Sequence, residues 1–275
     1  MKTYTAYFIC LLFLSFVGNS YAQTDSISFV KQKWKEKKIK KGIVWKNTHF
    51  IDLFKSEQEI NIIEIDLKKH ITKIRLEALP QSREYTSTMA KNKNAIVAIN
   101  GGFFDMKNGG AVDFIKVNNE VINKTINHSV RANSYLAFDD KKVIITSDKN
   151  VEQAYPNVLL AGPYLIDSFK KLNLPKNPFN SNRHPRTAVA LKNNKLLLIT
   201  IDGRNAKAQG MSLIELAQIL SWHECSHAMN LDGGGSTAMY IANHPDNGIV
   251  NYPSDNNKYD HQGERKVSNI IYLIN

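Results

Sequence analysis

Cysteine is nearly absent from this sequence: its 275 residues carry two, Cys10 and Cys225. That excludes a disulfide-stapled scaffold. Eight prolines and 14 glycines are too few for a collagen-like or low-complexity chain, and 43% hydrophobic with 22% charged residues excludes a disordered tail. Acidic residues are outnumbered, 25 against 36 basic ones, for a formal charge of +11. Beyond the amino-terminal segment no apolar run approaches the length that crosses a bilayer. A chain of this size buries a substantial core without metal or disulfide support. Fold stability therefore leaves its unusual polar residues unexplained.

Met1-Lys2, an apolar run from Tyr7 to Val17 and then Ser20-Tyr21-Ala22 have the layout of a secretory signal peptide over residues 1–22. Cleavage after Ala22 predicts a soluble exported protein, periplasmic or extracellular, with no transmembrane segment in the mature chain. Cys10 lies inside the apolar run, so its removal leaves Cys225 alone, expected as a buried thiol. Residues 23–41 read as a basic N-terminal arm, with seven lysines against Glu36 between Lys31 and Lys41. Phe29, Val30, Trp34 and Ile39 are interleaved at roughly helical spacing, which suits a short helix lying on the domain. The lysines are read as a solvated face with no assigned partner, nucleic acid included.

Residues 42–275 show no linker, repeat or composition shift, which predicts one α+β domain with a mixed, strand-rich central sheet, several hairpins and few helices. Strands are expected at Ile43 to Trp45, Ile60 to Leu67 and Ile71 to Leu79, the last two forming a hairpin around Lys68-Lys69-His70. Asn118-Asn119 and Asn193-Asn194 mark two further hairpins, because asparagine tolerates the positive φ of tight turns. A helix ending at Asn92 begins at Ser82 or Thr86. Ser212-x-x-Glu215 is a capping box opening a helix from Leu213 to Trp222. Pro175, Pro178 and Pro185 make 175–185 an irregular excursion.

Three apolar runs end abruptly in glycine and polar residues, which puts a site at strand ends. They are 95–99 into Asn100-Gly101-Gly102, 196–201 into Asp202-Gly203-Arg204, and 228–231 into Asp232-Gly233-Gly234-Gly235-Ser236-Thr237. Consecutive glycine amides can curl into an anion-binding nest. Arg186 and Arg204, just outside strands, suit phosphate, and two strand-end carboxylates suit glycosidic chemistry. No Gly-Lys-Ser/Thr follows the glycines, so the turn is no P-loop. A competing motif, His223-Glu224-Cys225-Ser226-His227, satisfies the H-E-x-x-H pattern of zinc peptidases. It needs a continuing helix, whereas the strand expected from Ala228 interrupts one.

Taken in order, Asn100-Gly101-Gly102-Phe103-Phe104, His184-Pro185-Arg186-Thr187-Ala188, Asp202-Gly203-Arg204 with Gly210-Met211-Ser212-Leu213, Asn230 to Thr237 and Glu264-Arg265 resemble the phosphodiester glycosidase family. Ala190 departs from the glycine that relatives often carry. The resemblance implies hydrolysis of the C1–O bond of a sugar-1-phosphodiester or phosphoglycan, giving free sugar and a phosphomonoester, with no cofactor and no metal. It implies Asp202 and Asp232 as catalytic carboxylates, their division of labour open. It implies Asn100, Gly101, Gly102, Arg186, Thr187, Arg204, Asn230, Gly233, Gly234, Gly235, Ser236, Thr237 and Arg265 as substrate- or phosphate-binding. A catalytically silent phosphoglycan-binding protein is the alternative, and a zinc metallopeptidase using His223, Glu224 and His227 a more remote one.

Overall fold

A computed structural model describes residues 24–126 and 131–275; the export-type segment 1–22 lies outside them. Seventeen strands divide among three sheets, and every ladder between described strands is antiparallel where a mixed sheet was expected. The reason is connectivity: neighbours consecutive in the chain are joined by short turns or loops that reverse its direction, and few helices are available as crossovers. The largest sheet runs β1 (Lys35–Lys40), β2 (Ile43–Phe50), β3 (Gln58–Asp66), β14 (Lys195–Ile201), β13 (Arg186–Lys192), β15 (His227–Asn230), β11 (Tyr164–Asp167) and β12 (Lys170–Lys171). A five-stranded sheet holds β7 (Glu120–Asn123), β6 (Ile115–Val117), β10 (Asn157–Ala161), β8 (Ser134–Phe138) and β9 (Val143–Thr146). A four-stranded sheet is ordered β16 (Met239–Ile241), β5 (Ala95–Asn100), β17 (Asn269–Ile274) and β4 (Ile74–Ala78).

The unbroken apolar runs of the large sheet follow from burial on both faces. Ile63, Ile65, Leu196 and Leu198 enter a core shared with Val97, Ile99 and Leu136 of the smaller sheets. Their neighbours Ile62, Leu197 and Ile199 point the other way, against Leu213, Leu216 and Leu220. Each such side chain contributes about 1.5–3 kcal/mol on burial. The latter leucines lie on the one long helix after residue 200 (Leu213–Trp222), whose capping box pairs the Ser212 hydroxyl with the Glu215 amide and the Glu215 carboxylate with the Ser212 amide.

Both asparagine hairpins form, Asn118, Asn119 and Asn193 each at positive φ. The Ile71 to Leu79 strand does not pair with β3. Asp66 caps a helical turn (Leu67–His70) by accepting from the Lys68 amide, a 3-10 turn follows, and β4 joins β17 in another sheet. The lysine run is part of the sheet: a helix over 24–31 buries Phe29 against Trp34 and Phe50, and β1 pairs with β2 as an edge strand with exposed lysines.

Candidate functional site

The tips of β5, β13 and β15 meet where two sheets converge. The Asp232 amide donates to Gly101 O at 3.0 Å, the Leu231 amide to Thr187 O at 2.8 Å and the Gly234 amide to Pro185 O at 2.8 Å. Asn100, wholly buried, is the hub of this junction. Its Nδ2 donates to Asp232 O at 2.7 Å, while its Oδ1 accepts from the Thr187 hydroxyl at 2.8 Å and the Ala238 amide at 3.2 Å. Both lone pairs and the amide donor are thereby matched to fixed groups, which locks the tips in register.

Asp232 remains partly exposed on this platform. Burial pushes its carboxyl up to about 6, against the pull of the Ser236 hydroxyl, Arg265, the Gly233 amide and Arg131. Two guanidinium groups lie on the glycine turn. A Cβ at Gly234, whose φ is +62°, would meet Arg204 Nη2 at 2.9 Å, and one at Gly235 would meet Arg265 Nη2 at 2.5 Å. Glycine suits Gly234 for its positive φ, and both residues leave room for the arginine ends to lie close to the main chain. Arg265 is oriented by an ion pair with Asp255. Arg204 is exposed at φ +64°, and Arg131 lies over the Phe103 ring at 4.5 Å.

Several expected ligands serve the scaffold instead. Arg186 is 2% exposed and donates through Nε to Met211 O at 2.8 Å and through Nη2 to Phe179 O and Asn182 O, each at 2.9 Å. Burial pulls it down to about 10, and it pins the proline-rich excursion rather than a phosphate. Arg186→Lys would leave carbonyls unpaired at a loss of about 2–3 kcal/mol, lowering the unfolding midpoint by about 4–12 °C while KM for a phosphodiester changes less than twofold. A tenfold rise in KM at wild-type stability would return Arg186 to the substrate.

The amide nest is likewise corrected. The Gly234, Ser236 and Thr237 amides donate to Pro185, Gly233 and Gly234 carbonyls, and the Gly233 amide faces Asp232. The guanidinium groups of Arg204 and Arg265 lie against this turn. The Gly101 and Gly102 amides donate to Asn269 O and Oδ1 at 2.9 and 2.6 Å, so they too are unavailable to phosphate. Thr187 and Thr237 are buried in the hub, and Asn230 donates to Gly162 O at 2.8 Å.

Asp202 is enclosed at 1% exposure, so its carboxyl is not open to the surface as that of Asp232 is. Its Oδ1 accepts from Asn251 at 2.8 Å, its Oδ2 has no partner, and burial pushes it up to about 7 with a further push from Glu59. Asn251 also donates to Thr237 O at 3.2 Å and accepts from the Met239 amide, linking Asp202 to the turn. Asn251 and Arg131 gave no sequence signal, being isolated residues in unpatterned segments. His184, half-buried and held below its usual pKa by burial, Arg186 and Arg204, had one in its place beside Pro185.

The zinc-type motif is dispersed. The helix stops at Trp222, Glu224 sits at φ +57°, and His227 opens β15. His223 is half-buried, edge-on to Phe29, and lowered by burial to about 4, while His227 faces Asp167 at 3.6 Å. Among the described residues no three His, Cys, Asp or Glu side chains cluster to hold a metal. Cys225 is buried, its thiol pushed up to about 12.

A partly exposed carboxylate beside guanidinium groups on a strand-end turn suits an anionic ester. The chain belongs to the phosphodiester glycosidase family, whose model matches residues 93–274. It is 26% identical over 171 residues to the SPbeta prophage-derived uncharacterized protein YomE of Bacillus subtilis (strain 168). The match covers 58% of this chain and spans about a quarter, 26%, of that protein's length. The fold is shared with a hypothetical protein from Synechocystis (TM-score 0.71, 16% identity, 88% of this chain and 64% of that one). It is also shared with the zebrafish N-acetylglucosamine-1-phosphodiester alpha-N-acetylglucosaminidase catalytic domain (TM-score 0.67, 19% identity, 89% and 85%).

Proposed function

We propose that this protein hydrolyses the C1–O bond of a sugar-1-phosphodiester, releasing the sugar and a phosphomonoester. The observation that carries this reading is Asp232 within reach of Arg265 and Arg131, with Arg204 against the adjoining Gly234. An ordinary glycosidase uses two carboxyl groups, one of them to protonate the leaving oxygen. A phosphomonoester leaves as a stable anion, so guanidinium groups that bind the developing charge replace the second acid. Asp232 faces the sugar carbon as a carboxylate, stabilising the positive charge that grows there as the bond to phosphate lengthens. Asp202 acts through Asn251, holding the segment after the glycine turn. The signal-type residues 1–22 support work outside the cytoplasm, in a periplasmic or extracellular setting.

Hydrolysis in heavy-oxygen water tests the bond assignment. Label recovered in the sugar is expected, whereas label in the phosphate would make the protein a phosphodiesterase. The pH dependence has a definite sign. Asp232 must be ionised and its carboxyl is held up to about 6, so kcat/KM should rise through that pH as the proton leaves. Activity that is flat from pH 5 to 7 would remove Asp232 from the reaction.

A further inference from the structure

The lysines of β1 are more than solvation. Cross-strand partners share a face of the sheet, and on one face Lys35 lies opposite Asn47 and Lys37 opposite Trp45. The same face continues through His49, opposite Glu59 on β3, to the β3–β14 ladder, where the Asp202 amide donates to Glu59 O at 3.0 Å just past the last pair, Ile201 and Ile60. Trp45 is half-buried, donates to Asn61 Oδ1 at 3.1 Å and meets the His244 ring edge-on at 5.5 Å. Lys35 is near enough to act on Glu59, and Lys37 and His261 on His244. His261 in turn stacks on Tyr252, and Tyr252 on Tyr259, beside Asp202. An aromatic and histidine-lined surface thus runs from the basic edge strand towards the site.

Both lysines are exposed and neither has an ion-pair partner among the described residues. The acids on that face, Glu57 and Glu59, are held by His49 at 3.1 and 3.2 Å, and Glu36 pairs with Lys46. Two residues along a strand separate same-face charges by about 6.6 Å, a spacing that meets successive charges of a repeating polyanion. We infer that Lys35 and Lys37 form an outlying anion subsite for a polymeric substrate, in which sugars joined by phosphodiesters continue from the bond under attack across Trp45. This rests on the proposed hydrolysis and adds the substrate class: a polymer rather than a single diester.

The test compares a ten-repeat poly(sugar 1-phosphate) with its one-repeat diester for wild type, Lys35→Thr/Lys37→Thr and a charge-matched control, Lys141→Thr/Lys142→Thr. The β1 variant should lower the polymer-to-monomer ratio of kcat/KM about tenfold, and the control should leave it unchanged. Binding of the decamer to Asp232→Asn protein supplies a second readout. Removing two phosphate contacts should reduce the slope of log affinity against log salt by about 1.4. An unaltered ratio and slope, equal losses in the control, or tighter binding of single-stranded DNA or anionic phospholipid vesicles would each overturn the inference. If neither substrate is cleaved but the β1 lysines still set decamer affinity, the hydrolase reading fails and the subsite stands.

Discussion

Replacing Asp232 by asparagine is expected to lower kcat on a sugar-1-phosphodiester by about a thousandfold or more with the fold intact. The fold survives because the backbone at this position, not the side chain, joins the strand tips: its amide donates to Gly101 O and its carbonyl accepts from Asn100. Asparagine keeps the shape and removes a carboxylate whose charge is held at a desolvation cost, so the unfolding midpoint should not fall. The loss is kinetic because the charge is needed only as positive character develops at the sugar carbon, in a site that is fixed before substrate arrives. Steady-state turnover beside thermal unfolding decides it. A variant with a tenth of wild-type kcat would show that the reaction runs elsewhere.

The second large effect is on stability. Asn100→Ala would strand the Asp232 carbonyl and the Ala238 amide in a buried junction and leave the Thr187 hydroxyl only its longer bond to Thr237, at a cost of about 3 kcal/mol. For a chain of this size that lowers the unfolding midpoint by about 6–12 °C. Activity should fall with it, since the same side chain sets where Asp232 sits. Asn100→Asp makes the comparison specific: it keeps an acceptor but loses the donor to Asp232 O, and should fall between alanine and wild type. A midpoint within 2 °C of wild type for the alanine variant would show that the tips are held together by other means.

Much of this arrangement was legible beforehand, and for physical reasons. Paired asparagines and a capping box are local devices whose geometry follows from neighbouring residues, so Asn118-Asn119, Asn193-Asn194 and Ser212-x-x-Glu215 gave their turns and helix directly. Strand tips rich in glycine pointed to the region of Asp232 because apolar strands buried on two faces rarely end so. What the residues could not disclose was occupancy. Arg186 and Arg204 look alike as strand-end arginines, yet three carbonyls from the 178–182 and 211 segments claim the first and, among the described residues, none the second. Whether a glycine amide binds anion or main chain likewise depends on what folds over it, here Pro185 and Asn269. Asp202 and Asp232 occupy matching positions in sequence and unequal ones in space, because Asn251, sixteen residues after the last of the three glycines, closes over the first.

The place of β17 carries a consequence for how this molecule comes into being. Asn269–Ile274 is inserted between β5 and β4, and Asn269 holds both Gly101 and Gly102. A nascent polypeptide that has emerged as far as residue 268 therefore has two strands waiting with an open seam, and a glycine corner without its clasp. The strand-end junction closes only after residues made 165 or more positions later arrive, so it waits on the emergence of β17 rather than on local folding of the earlier strands.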